Sequence, residues 1–131
     1  PESIAYKRSK HIIDENIRVL KMEKFLYENN LRKIGEILLE SHQSLRDNYE
    51  VSCTEIDYLI ELSSSFPSWY GGRIMGGGFG GNIISLVKKG DEKEYINHIR
   101  KKYLDKFKKI PKIHTIRFVG GAEIVDNISA D

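Results

Sequence analysis

The sequence predicts an α+β domain in which helices pack on one face of a small antiparallel sheet. Three observations lead there. Apolar residues recur at helical spacing through the first half of the chain, a glycine-rich turn separates two apolar runs in the second half, and no Pro/Gly/Ser-rich linker divides the two. A chain of 131 residues lies within the usual range of one compact unit with its own hydrophobic core, so residues 1–131 are expected to form a single domain.

The elements follow in order. From Ile4 to Tyr27 the pattern is a long amphipathic helix, with Ile13, Ile17 and Leu20 on one stripe and Phe25 near its end. Asn29 and Asn30 interrupt it, and Leu31, Ile34, Leu38 and Leu45 mark a second helix reaching Asp47, antiparallel to the first across a short turn. Ser52 and Glu55 have the S-x-x-E spacing of a capping box, which places a third helix here with Ile56, Leu59, Ile60 and Leu62 on its buried side. Ser63, Ser64, Ser65 and Pro67 end it. A short extended segment around Arg73 to Met75, the turn Gly76 to Gly81 and a strand from Ile83 to Val87 come next. A fourth helix fits Glu92 to Phe107, followed by strands at Ile113 to Val119 and Ala122 to Val125 about Gly120 and Gly121.

Composition excludes several classes. With 40% hydrophobic and 31% charged residues the chain is an ordinary globular sequence, far from intrinsic disorder. The net charge of +2 is too mild to imply nucleic acid. The lysines and arginines gathered between Lys88 and Lys112 have no interleaved stacking aromatics and are read as a solvated helix face. Cys53 is the single cysteine, which leaves neither an intramolecular disulfide nor a cysteine-based metal site and points to a reducing, cytoplasmic setting. No apolar run approaches the length of a membrane span, so no membrane partner is expected. The sequence opens directly into a helical pattern without an initiating Met, as a segment of a longer protein would.

The run Gly76, Gly77, Gly78, Phe79, Gly80, Gly81 is the strongest local signal. Glycine loses more freedom on folding than any other residue, so five of them within six positions need a use. Two uses are open: positive φ in a tight hairpin, or bare amides approaching a phosphate where a Cβ would clash. P-loop and Rossmann readings fail, because no Lys-Ser or Lys-Thr follows the glycines and a strand comes next instead of a helix.

The segment GGRIMGGGFGGNIISLV, from Gly71 to Val87, resembles the third conserved motif of galactokinases, close to RMTGGGFGGC before a strand. ESHQSLRDNYEVSCTEID, from Glu40 to Asp57, is similar to the helix-turn-helix segment that precedes it in that family, and RSKHIIDENIRV, from Arg8 to Val19, resembles the family's R-x-x-H-x-x-x-E-N-x-R helix. Three ordered matches span most of the chain. They identify it as a member of the galactokinase group within the GHMP small-molecule kinases, as a C-terminal domain with a ferredoxin-like arrangement.

The resemblance implies a two-lobed enzyme that transfers the γ-phosphate of ATP, with magnesium, to the anomeric hydroxyl of galactose. It implies that ATP and magnesium are bound mainly by an N-terminal lobe, this domain's own partner, which also brings the catalytic aspartate and arginine. No catalytic residue and no metal ligand are then expected here, and this domain alone is expected to be inactive. Gly76, Gly77, Gly78, Phe79, Gly80 and Gly81 would close over the nucleotide phosphates. A kinase for a related heptose or N-acetylhexosamine, or a non-catalytic sugar-sensing regulator on the same fold, fits the same motifs.

Met75 stands where the motif has threonine and Asn82 where it has cysteine; methionine packs but has no hydroxyl to donate. His11, Glu15 and His42 are read as structural rather than acid-base groups, Arg8, Arg18, Arg46 and Asp47 as surface or lobe-interface charges, and Tyr49 and Trp69 as packing residues. Gly78→Ala is expected to lower turnover while sparing the fold.

Overall fold

Gly35 and Gly71 set how the elements meet. A Cβ on Gly35 would lie 2.1 Å from the carbonyl oxygen of Tyr70, and one on Gly71 would lie 1.9 Å from that of Gly35, so helix and strand touch backbone to backbone. The computed structural model describes residues 3–116. Its elements are α1 (Ile4–Tyr27), α2 (Leu31–Asp47), α3 (Thr54–Ser64), β1 (Trp69–Met75), β2 (Asn82–Val87) and α4 (Glu92–Phe107). α2 and α3 pack on the β1–β2 hairpin, α1 lies outside α2, and α4 packs on α3.

The two strands pair antiparallel with Met75 opposite Asn82 and Trp69 opposite Val87, and the register shifts at Tyr70. The expected strand around Arg73 thus begins four residues earlier, because glycine at 71 and 72 allows the chain to run extended beneath α2. Gly72 is as close to its neighbour strand, where a Cβ would stand 2.5 Å from the oxygen of Ile84. Residues 111–116 are irregular, so the start of the strand expected at Ile113 is not formed; its remainder and the segment Ala122 to Val125 lie outside the described residues.

The core is apolar where α2, α3 and the hairpin meet, at Ile34, Ile37, Val51, Ile56, Ile60 and Ile74. A second cluster joins Leu62 of α3 to Tyr95 and Ile99 of α4, with Phe66, Trp69, Val87 and Ile113 against it. A hydroxyl chain threads this cluster. The Tyr95 hydroxyl donates to Ser85 Oγ at 2.7 Å, lies 2.7 Å from Ser63 Oγ, and Ser85 also accepts from the indole of Trp69 at 3.2 Å. Four elements are thereby tied through groups that burial would otherwise leave unpaired.

Two local expectations change. No capping box forms at α3: its N-cap is Cys53, without a side-chain cap bond, and Ser52 donates instead to Asp57 Oδ1 at 2.6 Å. With Cys53 as cap, Ser52 stands one position too early to meet the Glu55 amide. The larger change is in α1, whose stripe Ile13, Ile17 and Leu20 is 60%, 47% and 67% exposed. The helix rests on α2 through its polar side, His11, Glu15 and Arg18, where Ser41 and Ser44 supply partners. Periodicity located the helix but not the face it turns inward.

Two imidazoles are buried. His11 Nδ1 lies 2.9 Å from Ser44 Oγ and its ring is 4.8 Å from Tyr49. His42 is fully enclosed, 3.5 Å from Asp57 Oδ1 but without a hydrogen bond on either ring nitrogen among the described residues. Burial lowers both pKa values from the ordinary range, outweighing Glu15 at His11 and Asp57 at His42.

Three expectations follow. Gly71→Ala should destabilise the domain by about 3 kcal/mol, read from urea unfolding, because its methyl must displace the backbone of α2. Replacing Asp57 with Ala should cost about 1 kcal/mol through the lost Ser52 bond, while Glu55→Ala should change stability by less than about 0.5 kcal/mol, the reverse of what a capping box demands. Unfolded imidazoles titrate near pH 6.5. Between that value and the lowered folded values the unfolded state binds more protons, so stability is full above the window and falls as pH descends through it. Melting temperatures from pH 8 to 5 should show this decline, and His42→Leu should flatten it while His11 keeps part of the slope.

Candidate functional site

Gly76 to Gly81 form the connection of the β1–β2 hairpin. Gly76, Gly78, Phe79, Gly80 and Gly81 all take positive φ, at 81°, 89°, 61°, 126° and 96°. Such a succession would be costly for ordinary side chains, and Phe79 bears that cost as a non-glycine residue. The Phe79 ring is 78% exposed at the tip of the loop.

The loop is held from the side by the connection between α2 and α3. The Phe79 amide donates to the carbonyl of Val51 at 2.6 Å, and the Val51 amide donates to Leu45 at 3.0 Å. A Cβ on Gly78 would stand 2.5 Å from Val51 Cβ, so that glycine is required by the fold as well as by its φ. Gly77 differs from its neighbours in φ, which is outside the left-handed range; like Gly76, Gly80 and Gly81 it has open space where a Cβ would be, with no atom of the described residues beyond its chain neighbours within 4 Å.

The strand leading into the loop is clamped by charge. Arg73 Nη1 donates to Glu15 Oε1 at 2.7 Å and to Ser41 Oγ at 2.8 Å, and Ser41 donates to the same Glu15 oxygen at 2.7 Å. Arg18 Nε holds the other oxygen of Glu15 at 2.8 Å. Burial alone would raise the Glu15 pKa, but the bonds from Ser41 and Arg18 and the charges of Arg18 and Arg73 outweigh it and hold the carboxyl below its ordinary value. One carboxylate therefore joins α1, α2 and β1 through three donors on its two oxygens.

Of the residues singled out from sequence, the six loop residues stand together, and Met75 and Asn82 form the two exposed feet of the loop. Arg8 is placed beneath the loop's support, donating to the Asn48 carbonyl and to Glu50 and lying over the Tyr49 ring. Arg46 and Asp47 pair with each other at the surface. Arg18 is not a surface charge, since it is buried on α1. Trp69 packs in the α3–α4 cluster. Arg73 and Ser41 are site-supporting residues that pattern reading passed over; the helical spacing of His11, Glu15 and Arg18 was the available signal, because it puts three polar side chains on one face. Among the described residues no group of three or more His, Cys, Asp or Glu is placed to hold a metal ion, and no helix is long and apolar enough to cross a membrane.

Comparison with known proteins bears on the same segments. Residues 22–105 match the family described as GHMP kinases C terminal. The chain is 39% identical over 117 residues to a galactokinase of Thermotoga neapolitana, covering 89% of this chain and 33% of that protein. It is 46% identical over 107 residues to a galactokinase of Actinobacillus pleuropneumoniae, covering 81% and 27%. The solved galactokinase of Lactococcus lactis, complexed with galactose, superposes with a TM-score of 0.78 at 33% identity, over 83% of this chain and 28% of that one. The chain thus spans a third or less of the length of these relatives. Hairpin, supporting helices and family match coincide in one stretch of sequence, and on that ground the chain belongs to the GHMP kinases, as a C-terminal domain of that family similar to those of galactokinases.

Proposed function

We propose that this chain is the C-terminal domain of an ATP-dependent galactokinase, and that Gly76 to Gly81 close over the phosphate end of the nucleotide. The observation that carries this reading is Gly77. Strain explains glycine at its neighbours and contact with Val51 explains it again at Gly78, but neither explains Gly77, whose missing side chain leaves open space on an exposed loop. A phosphate or a facing phosphate loop occupying that space accounts for it.

In the reaction so proposed, the anomeric oxygen of galactose bonds to the γ-phosphorus, the bond to the ADP oxygen breaks, and the hydroxyl proton passes to a base on the facing lobe. Magnesium supplies charge neutralisation on the phosphates when bound and is held mainly outside this domain. What this chain does is position. Glycine amides of the loop donate to phosphate oxygens, while that of Phe79 is already committed to Val51. The Glu15–Arg73–Ser41 clamp and the Val51 bond fix the loop before nucleotide arrives, which is the form of assistance that phosphoryl transfer uses most. Met75 and Asn82 are exposed at the loop's feet, and Met75 brings no hydroxyl to donate there.

The structure moves the decisive substitution from Gly78 to Gly77, since a methyl at Gly78 disturbs Val51 whether or not nucleotide binds. In the longer polypeptide, Gly77→Ala should lower turnover at least tenfold, about 1.4 kcal/mol of transition-state stabilisation, at an unchanged melting temperature. Gly78→Ala should lower both. The present chain alone should show no turnover above a heat-killed control, and assay of the longer polypeptide over a panel of hexoses should give product with galactose at the anomeric position. Undiminished turnover per folded molecule in Gly77→Ala would remove the loop from the active site.

A further inference from the structure

The connection between α2 and α3, from Asn48 to Cys53, is the support on which the glycine loop rests: its Val51 carbonyl accepts from the Phe79 amide at 2.6 Å. Strain sits on both sides of that bond. Glu50, which precedes Val51, has a φ of 59°, and Phe79, which donates, has a φ of 61°. Left-handed backbone at a residue with a Cβ persists only where its surroundings over-determine it. Here those surroundings are a tie on each side of Val51.

On the N-terminal side, Arg8 of α1 donates from Nη2 to Glu50 Oε2 at 2.7 Å and from Nη1 to the Asn48 carbonyl. The bond from Arg8 and its charge hold the Glu50 carboxyl below its ordinary pKa, and Lys7 stands 3.8 Å from the other oxygen. On the C-terminal side, Ser52 Oγ donates to Asp57 Oδ1 of α3 at 2.6 Å. The buried His42 imidazole lies 3.5 Å from the same oxygen without a hydrogen bond, so among the described residues Ser52 is the side chain that engages this carboxylate as a donor. An ion pair as exposed as Arg8–Glu50 adds little to stability. Its effect is on where Val51 stands. Glu50 and Asp57 make no hydrogen bond to the loop among the described residues, yet between them they fix both neighbours of the carbonyl that anchors it.

We propose that Glu50 and Asp57 are positioning residues for the glycine loop, which through Arg8 and Ser52 hold the Val51 carbonyl where the Phe79 amide meets it. That this serves nucleotide binding rests on the reading above that the loop closes over phosphates. With either tie cut, the loop samples other positions and ATP must order it on binding. The loss then falls on KM for ATP and spares turnover at saturation.

Hydrogen exchange of the Phe79 amide tests this in the longer polypeptide, isotope-labelled at phenylalanine and isoleucine and free of ATP, with the Ile99 amide of the α3–α4 cluster as reference. Glu50→Ala and Asp57→Ala should each speed Phe79 exchange at least about tenfold, and by more than they speed that of Ile99. Asp57→Asn keeps an acceptor for Ser52 and should exchange like the unaltered protein. In both alanine variants KM for ATP should rise about fivefold, with KM for galactose and turnover at saturating ATP unchanged. Ser52→Ala cuts the same bond from its other end and serves if Asp57→Ala fails to fold. Phe79 exchange that stays unchanged, or that rises only as far as that of Ile99, overturns the proposal, and so does Asp57→Asn behaving as Asp57→Ala. Neither ATP nor sugar enters the exchange measurement. Faster Phe79 exchange in a polypeptide without kinase activity therefore defeats the kinase reading and leaves the ties standing, while normal kinase activity with unchanged exchange defeats this one alone.

Discussion

The backbone contact between Gly35 of α2 and Tyr70–Gly71 of β1 governs the architecture. Carbonyls at Cβ distance leave no room for a methyl on either side, so the hairpin is drawn against α2 as closely as two backbones can lie. That depth brings Arg73, two residues further along β1, within hydrogen-bonding reach of Ser41 on α2 and Glu15 on α1. A larger residue at either glycine would lift the strand, and a charged hydrogen bond tolerates only a few tenths of an ångström before it weakens. Steric permission at two glycines therefore precedes the electrostatics.

Downstream of that contact, rigidity and exposure are divided along the hairpin. Its base is buried, with Ile74 packed in the core and Ser85 inside the hydroxyl chain that links Trp69, Tyr95 and Ser63. Its tip is open but not loose, since the Phe79 amide is tied to Val51 and Val51 to the end of α2. A loop of glycines has high entropy in the unfolded chain, and these ties offset part of that cost by fixing it from both the strand and the connection between α2 and α3. A loop so fixed can present amides to an anion without reorganising when it arrives.

The orientation of α1 is the other consequence. Glu15 and Arg18 can join the clamp only if the polar stripe of α1 faces α2, and then Ile13, Ile17 and Leu20 must face outward. In an isolated domain the hydrophobic effect would oppose this choice.

The sequence by itself determined the positions of four helices and a glycine-linked hairpin, and its motifs were enough to place the chain among the GHMP kinases. Those features are local: apolar spacing, Asn29–Asn30 and Ser63–Pro67 as stops, and a glycine run between two apolar segments are all read within a window of a few turns. Only the tertiary structure decided which face of α1 is buried, that Ser52 bonds Asp57 rather than capping α3, and that Gly35 is a contact residue rather than a flaw in a helix. The first and last of these depend on a partner far away in the chain, Ser41 and Arg73 for Glu15, Tyr70 and Gly71 for Gly35. The loop shows the same division. Its glycines announce a special backbone, but whether a given glycine serves φ, as at Gly76, a neighbour, as at Gly78, or open space, as at Gly77, is fixed by Val51 and by the hairpin's register, which periodicity does not encode.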